Sequence, residues 1–166
     1  MKIGRKNIFL LFLLASMVLM GCGYKAPQTP IKETKDNTEQ ISENEDNKVI
    51  ITVGDKEFNA VFYKNETTDA LIKKLPITVS MKDLNSNEKY YYFDEAFPKN
   101  SEKVGSIDAG DIMLYGDSCV VLFYKSFNTS YSYTKIGYIE NIEGLESALG
   151  NSDIDVTFKI DEGENL

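Results

Sequence analysis

Few side chains in this 166-residue chain can do chemistry, and the missing ones narrow the choices first. His and Trp do not occur, and the one arginine is Arg5, close to the N-terminus. Without an imidazole, the usual proton shuttle near neutral pH and the Ser-His and Cys-His nucleophile pairs have no residue to carry them. Cys119 opens the apolar run Cys-Val-Val-Leu-Phe-Tyr124, where a thiol behaves as a small hydrophobe and nothing lowers its pKa. Lys125 and Ser126 are neighbours on an extended segment, so their side chains point to opposite sides and form no dyad. Asn151, Asp153, Asp155 and Glu162 copy the ligand spacing of a calcium loop, but Val156 stands where a glycine is required. Ile154, Val156 and Phe158 alternate there as a strand, which splays such ligands apart. The sequence therefore predicts no catalytic residue, no metal and no cofactor.

Binding chemistry is better represented. Two segments concentrate rings: Tyr-Tyr-Tyr-Phe at 90–93, and Tyr-Lys-Ser-Phe-Asn-Thr-Ser-Tyr-Ser-Tyr at 124–133. In the first, alternation sends half of the row into a core and leaves the other half outside. The stretch 126–133 is too polar for a core and too aromatic for an idle loop, so Tyr124, Phe127, Tyr131 and Tyr133 are expected to rim a ligand-binding groove. A wall of rings with hydroxyl handles suits an extended peptide, a glycan or a small apolar ligand. A formal net charge of −8 repels phosphate backbones, so no nucleic-acid partner is expected.

The elements that position these residues begin after an address. Lys2, Arg5 and Lys6 precede the apolar stretch Ile8–Met20, whose 13 residues are too few to span a bilayer core of roughly 30 Å. Leu19-Met20-Gly21-Cys22 follows and resembles the lipobox of bacterial lipoproteins. The resemblance implies a signal peptide over 1–21, cleavage before Cys22, and a diacylglycerol on the Cys22 thiol. Two acyl chains, at ~0.8 kcal/mol per buried methylene, make a firm anchor. The expected location is the extracytoplasmic side of a bacterial cell membrane. Removing Lys2, Arg5 and Lys6 leaves 15 of the 18 positive charges against 26 negative, a net −11 with no arginine. With Cys22 acylated, Cys119 has no disulfide partner, so a monomer held by packing alone is expected.

Residues 22–48 form a polar, proline-containing tether that cannot bury enough surface to offset its ordering entropy. The domain occupies 49–160. Val49–Val53 and Phe58–Phe62 form a hairpin around Gly54-Asp55, and Thr67 or Thr68 caps a short helix that Pro76 stops. Strands are expected over 77–82, 88–93, 111–115, 119–125, 136–142 and 153–160, with a long connection over 96–110 and a helical turn at 144–149. Apolar residues on both faces of 119–124 predict a strand covered on both sides. The fold class is mainly β: a closed antiparallel eight-stranded barrel with about two short helices and a frayed tail over 161–166.

Gly110-Asp-Ile-Met-Leu-Tyr-Gly116, the strand at 119–124, Ser130-Tyr-Ser-Tyr-Thr-Lys-Ile-Gly-Tyr-Ile139 and Leu145-Glu-Ser-Ala-Leu149 together resemble the bacterial cyclophilin-like family over 49–160. True cyclophilins are peptidyl-prolyl isomerases that depend on an arginine to stabilise the twisted prolyl amide, aided by aromatic, Gln and His neighbours. Past residue 21 this chain has neither Arg nor His, and a lysine cannot copy the planar guanidinium fork. The expectation is a membrane-anchored module that binds a peptide, a glycan or an envelope protein; the alternative is a peptidyl-prolyl isomerase and foldase of the cell envelope. The Cys22→Ser protein is expected to leave the membrane fraction or to accumulate unprocessed, and unchanged retention and gel mobility would refute the anchor.

Overall fold

The computed structural model describes residues 47–163; the signal segment, Cys22, the tether up to residue 46 and residues 164–166 lie outside them. Strands β1 (Asn47–Val53) and β2 (Lys56–Phe62) pair through a two-residue turn in which Gly54 takes φ +61°, a conformation glycine adopts without penalty. Helix α1 (Glu66–Ile72) follows. Its cap is Asn65, whose side chain accepts from the Thr68 N–H, so neither expected threonine caps it. Thr67 and Thr68 are instead buried in the first turn. A residue earlier in the chain has the extended backbone that a cap needs, and Asn65 supplies it.

Strands β3 (Ile77–Leu84) and β4 (Glu88–Tyr92) join through Asn85-Ser86-Asn87, with Asn85 and Ser86 both at φ +54°. The long connection carries two short strands, β5 (Glu102–Lys103) and β6 (Ser106–Ile107). Then come β7 (Asp111–Tyr115), β8 (Cys119–Phe123), the two-residue β9 (Phe127–Asn128), β10 (Ser132–Ile139), helix α2 (Leu145–Leu149) and β11 (Ile154–Ile160). The eight long strands run in the order β2-β1-β11-β3-β4-β8-β7-β10, all neighbours antiparallel, and β10 pairs back onto β2. The sheet is thus a closed eight-stranded barrel with two helices. Closure leaves no long free edge.

Inside, Ile51, Phe62, Met81, Ile112, Leu122 and Ile136 fill the barrel, with Leu71 of α1 and Leu145 and Leu149 of α2 in the same cluster. α1 leads into the start of β3, while α2 lies beside the end of β3, so the helices stopper opposite ends. β8 is buried along its whole length. Val120 and Leu122 face the barrel, whereas Cys119, Val121 and Phe123 belong to a second cluster with Ile107, Met113 and Tyr133. The strand expected to be covered on both sides is so covered, and its outer cover comes from the long connection and β9.

β10 begins at Ser132, earlier than alternation alone suggests, because a bulge between Lys135 and Gly137 shifts its side-chain parity. At the closing seam a Cβ on Gly137 would lie 2.2 Å from the Val61 carbonyl oxygen and 2.9 Å from the Phe62 Cα. Backbone cannot yield there as a side-chain tip would. Gly137→Ala is expected to lower stability by roughly 1–3 kcal/mol, read as a lower urea midpoint.

Candidate functional site

Period two on β4 divides its residues. Lys89 and Tyr91 turn inward, and Glu88, Tyr90 and Tyr92 turn out. Register places this outer row against β8: Glu88 opposite Phe123, Tyr90 opposite Val121, and Tyr92 opposite Cys119. On the other side of β8, Tyr115 is also opposite Cys119. Two tyrosines therefore flank one small thiol across three adjacent strands. Above this surface β9 and the segment leading into β10 hold Phe127, Asn128, Thr129, Ser130, Tyr131 and Tyr133. Together these surfaces bound an outer groove of about 510 Å³.

The rings brace one another edge to face. Tyr90 and Tyr92 have centroids 5.8 Å apart at 80°, and Tyr115 and Tyr131 are 5.9 Å apart at 83°. Tyr133 packs against Tyr115 and Phe123 at 5.6 Å each. Such pairs add about 0.5–1.5 kcal/mol beyond burial and fix the ring faces in place. Tyr92 and Tyr131 remain exposed, at 57% and 60%, so the groove presents aromatic surface to solvent.

Two groups on the groove floor, Cys119 and Tyr133, are held neutral. Burial pushes the Cys119 thiol up to about 11, and burial together with the nearby Glu88 charge raises the Tyr133 phenol to about 12. Neither is a nucleophile or base at neutral pH. Glu88 is half-buried, and its carboxyl is raised above its usual value by burial first and by the Asp83 charge second. It takes part in none of the ion pairs among the described residues. Among the described residues no three His, Cys, Asp or Glu side chains gather as a metal site.

A separate polar cluster sits inside the barrel near α2. Lys89 is fully buried, and its Nζ donates to Asp83 Oδ1 at 2.6 Å and to the Gly150 and Ser152 carbonyl oxygens at 2.9 Å. Three N–H donors meet three acceptors, so the buried ammonium is fully satisfied. The Tyr124 hydroxyl also donates to Asp83 Oδ1 at 2.6 Å, and its ring lies 5.4 Å from Lys89 Nζ.

Of the residues expected to rim a groove, Phe127, Tyr131 and Tyr133 meet in one. Tyr124 does not: it is 3% exposed and faces the barrel interior, because Val120, Leu122 and Tyr124 share one parity. Tyr133, only 5% exposed, forms part of the groove's floor and of the outer core. Cys22 lies outside the described residues. Sequence reasoning set the Tyr90–Phe93 row aside as half packed in a core and half outside it, and passed over Tyr115 and Glu88. Alternation along 88–92 was the available signal for three of them, since it puts Glu88, Tyr90 and Tyr92 on one face.

Residues 51–161 match the cyclophilin-like family. The chain belongs to the cyclophilin-like family. Among solved structures, a hypothetical protein from Archaeoglobus fulgidus, solved in solution, is similar to this chain with a TM-score of 0.55 and 21% identity. The match covers 71% of this chain and 97% of that one. At this identity the likeness concerns the fold alone. No curated protein matches. On this cyclophilin-like barrel the aromatic groove lies outside the β4–β8–β7 wall, and the ammonium–carboxylate cluster lies inside it.

Breaking a buried ion pair leaves an uncompensated charge, so Lys89→Ala is expected to cost ~3–5 kcal/mol in urea denaturation. The Lys89 and Tyr124 hydrogen bonds hold the Asp83 carboxyl below the ordinary aspartate value of 3.8. The interaction thus stabilises the fold above that value and is lost as pH falls through the lower folded one. Asp83→Asn should flatten the acid limb of the stability curve, and an unaltered limb would dissociate Asp83 from acid unfolding.

Proposed function

We propose that this protein is an envelope lipoprotein, anchored through Cys22, whose cyclophilin-like barrel binds a ligand in the aromatic groove and performs no prolyl isomerisation. The observation that carries the reading is the groove itself: five tyrosines and Phe127 line it, two of the rings largely open to solvent. Its volume falls within the ~300–1,000 Å³ range usual for small-molecule sites. Rotating a prolyl amide means crossing a barrier of ~18–20 kcal/mol, and lowering it needs oriented charge at the twisted bond. The chain past residue 21 has no guanidinium or imidazole to supply it, and the cations that are present sit elsewhere. Lys89 is committed inside the barrel, and no lysine lines the groove.

Support for the anchor comes from the basic start, the 13-residue apolar stretch and Leu19-Met20-Gly21-Cys22. Among the described residues no helix is long and apolar enough to cross a membrane. A lipid on Cys22 would hold the barrel at the bilayer through residues 23–46, which precede β1.

A protease-coupled prolyl isomerisation assay on the chain from Gly23 onward tests the catalytic half of the reading. The expected rate equals the uncatalysed background, and acceleration that Tyr92→Ala or Tyr131→Ala abolishes would replace this reading with an envelope foldase.

A further inference from the structure

Resting on the groove as a binding site, we infer that its ligand is a small amphipathic amine, with the ammonium held at Glu88 and the hydrocarbon body laid along Tyr90 and Tyr92. Glu88 starts the outer row of β4, and Tyr90 and Tyr92 follow on the same face at a spacing of roughly 6.6 Å per pair of residues. Tyr90 and Tyr92 thus start about 7 and 13 Å along the strand from Glu88, and with their ring centroids 5.8 Å apart a six-carbon chain rooted at Glu88 covers Tyr90 and ends at the near edge of the Tyr92 ring. Charge complementarity selects its sign. Glu88 is the one charged residue in the lining, it is half-buried, and no cation among the described residues pairs with it. Near it Asn87 Oδ1 is buried without a hydrogen-bond partner among the described residues, which leaves an unpaired acceptor beside the Glu88 carboxylate at this end of the groove. An alkylammonium brings both a positive charge and N–H donors.

The rings favour the same sign. Tyrosine faces carry negative potential and attract a cation within about 6 Å of the centroid, while the hydrocarbon body covers ring surface that is now wet. A carboxylate-bearing ligand would meet Glu88 with a like charge and a chain of net −11 once residues 1–21 are removed, 15 positive against 26 negative. Enclosure of about 510 Å³ suits a free small molecule rather than a folded partner.

Three probes of equal chain length separate the contributions: hexylamine, 1-hexanol and hexanoate, titrated at pH 7 into the chain from Gly23 onward and followed by amide NMR shifts of groove residues. Hexylamine is expected to bind about tenfold or more tightly than hexanol, with hexanoate weakest. Glu88→Gln should erase the preference and leave hexanol binding unchanged, whereas Tyr92→Ala should weaken hexylamine and hexanol alike. Folding is not at risk in Glu88→Gln. Its charge is disfavoured by burial, so removing it should leave the urea midpoint at pH 7 equal or higher. Equal binding of all three probes through Tyr92 overturns the amine assignment while leaving the groove as a ligand site. No groove shifts with any probe overturn both. Tighter binding of a lysine-containing peptide than of hexylamine overturns the small-ligand assignment and makes the occupant a basic peptide.

Discussion

A strand that is apolar on both faces must be covered on both faces, and β8 imposes this condition on the whole molecule. Val120 and Leu122 are satisfied by closing the sheet into a barrel, which the seam between β10 and β2 completes. Cys119, Val121 and Phe123 remain on the outside, and burying a Val or Phe side chain is worth about 1.5–3 kcal/mol each. The long connection after β4 and the segment after β8 meet that demand. They bring Ile107, Phe127 and Tyr133 onto the outer face, and the small ribbon of β6 and β9 ties them together. The groove is the part of this outer cover that does not close. Where Tyr92 and Tyr115 stand on either side of Cys119, the cover leaves ring surface open.

The inner face carries a different solution to a different problem. A lysine on a strand of alternating parity must point either into solvent or into the barrel, and Lys89 points in. Its ammonium is tolerated because the loop after α2 supplies two carbonyl oxygens and β3 supplies Asp83. That cluster links β4, β3 and the start of β11 at one end of the barrel, while the Tyr124 hydroxyl joins it from the end of β8. Chemistry-bearing groups are thus split by the wall. Inside, a cation and a carboxylate satisfy each other and have no access to a ligand; outside, Glu88 has rings and solvent around it and no cation. Family membership accounts for the wall, and the fold likeness to the Archaeoglobus fulgidus protein reaches no further than that.

Alternation was enough to place most strands, because apolar residues at every second position decide which face is buried. It separates Ile51 and Val53 from Ile50 and Thr52, and it already assigns Tyr91 and Tyr92 to opposite faces. It failed where local order and tertiary parity diverge. Tyr124 reads as the first ring of an aromatic loop, yet it continues the inward set of β8 and spends its hydroxyl on Asp83. Ser132–Lys135 read as loop because the bulge before Gly137 breaks the period, and only pairing with β7 and β5 keeps those residues extended.

The residues alone determined the barrel class, the two-sided burial of β8, the turn at Gly54 and the shortage of catalytic side chains, since each follows from local pattern or plain composition. Tertiary structure alone decided that Glu88, Tyr90, Tyr92, Tyr115 and Tyr131 share one groove, and that Lys89 finds its three acceptors. Those meetings join positions up to 63 residues apart, as for Lys89 and Ser152. No local signal encodes them, because strand register and barrel closure bring distant positions together only after every neighbouring pair has formed.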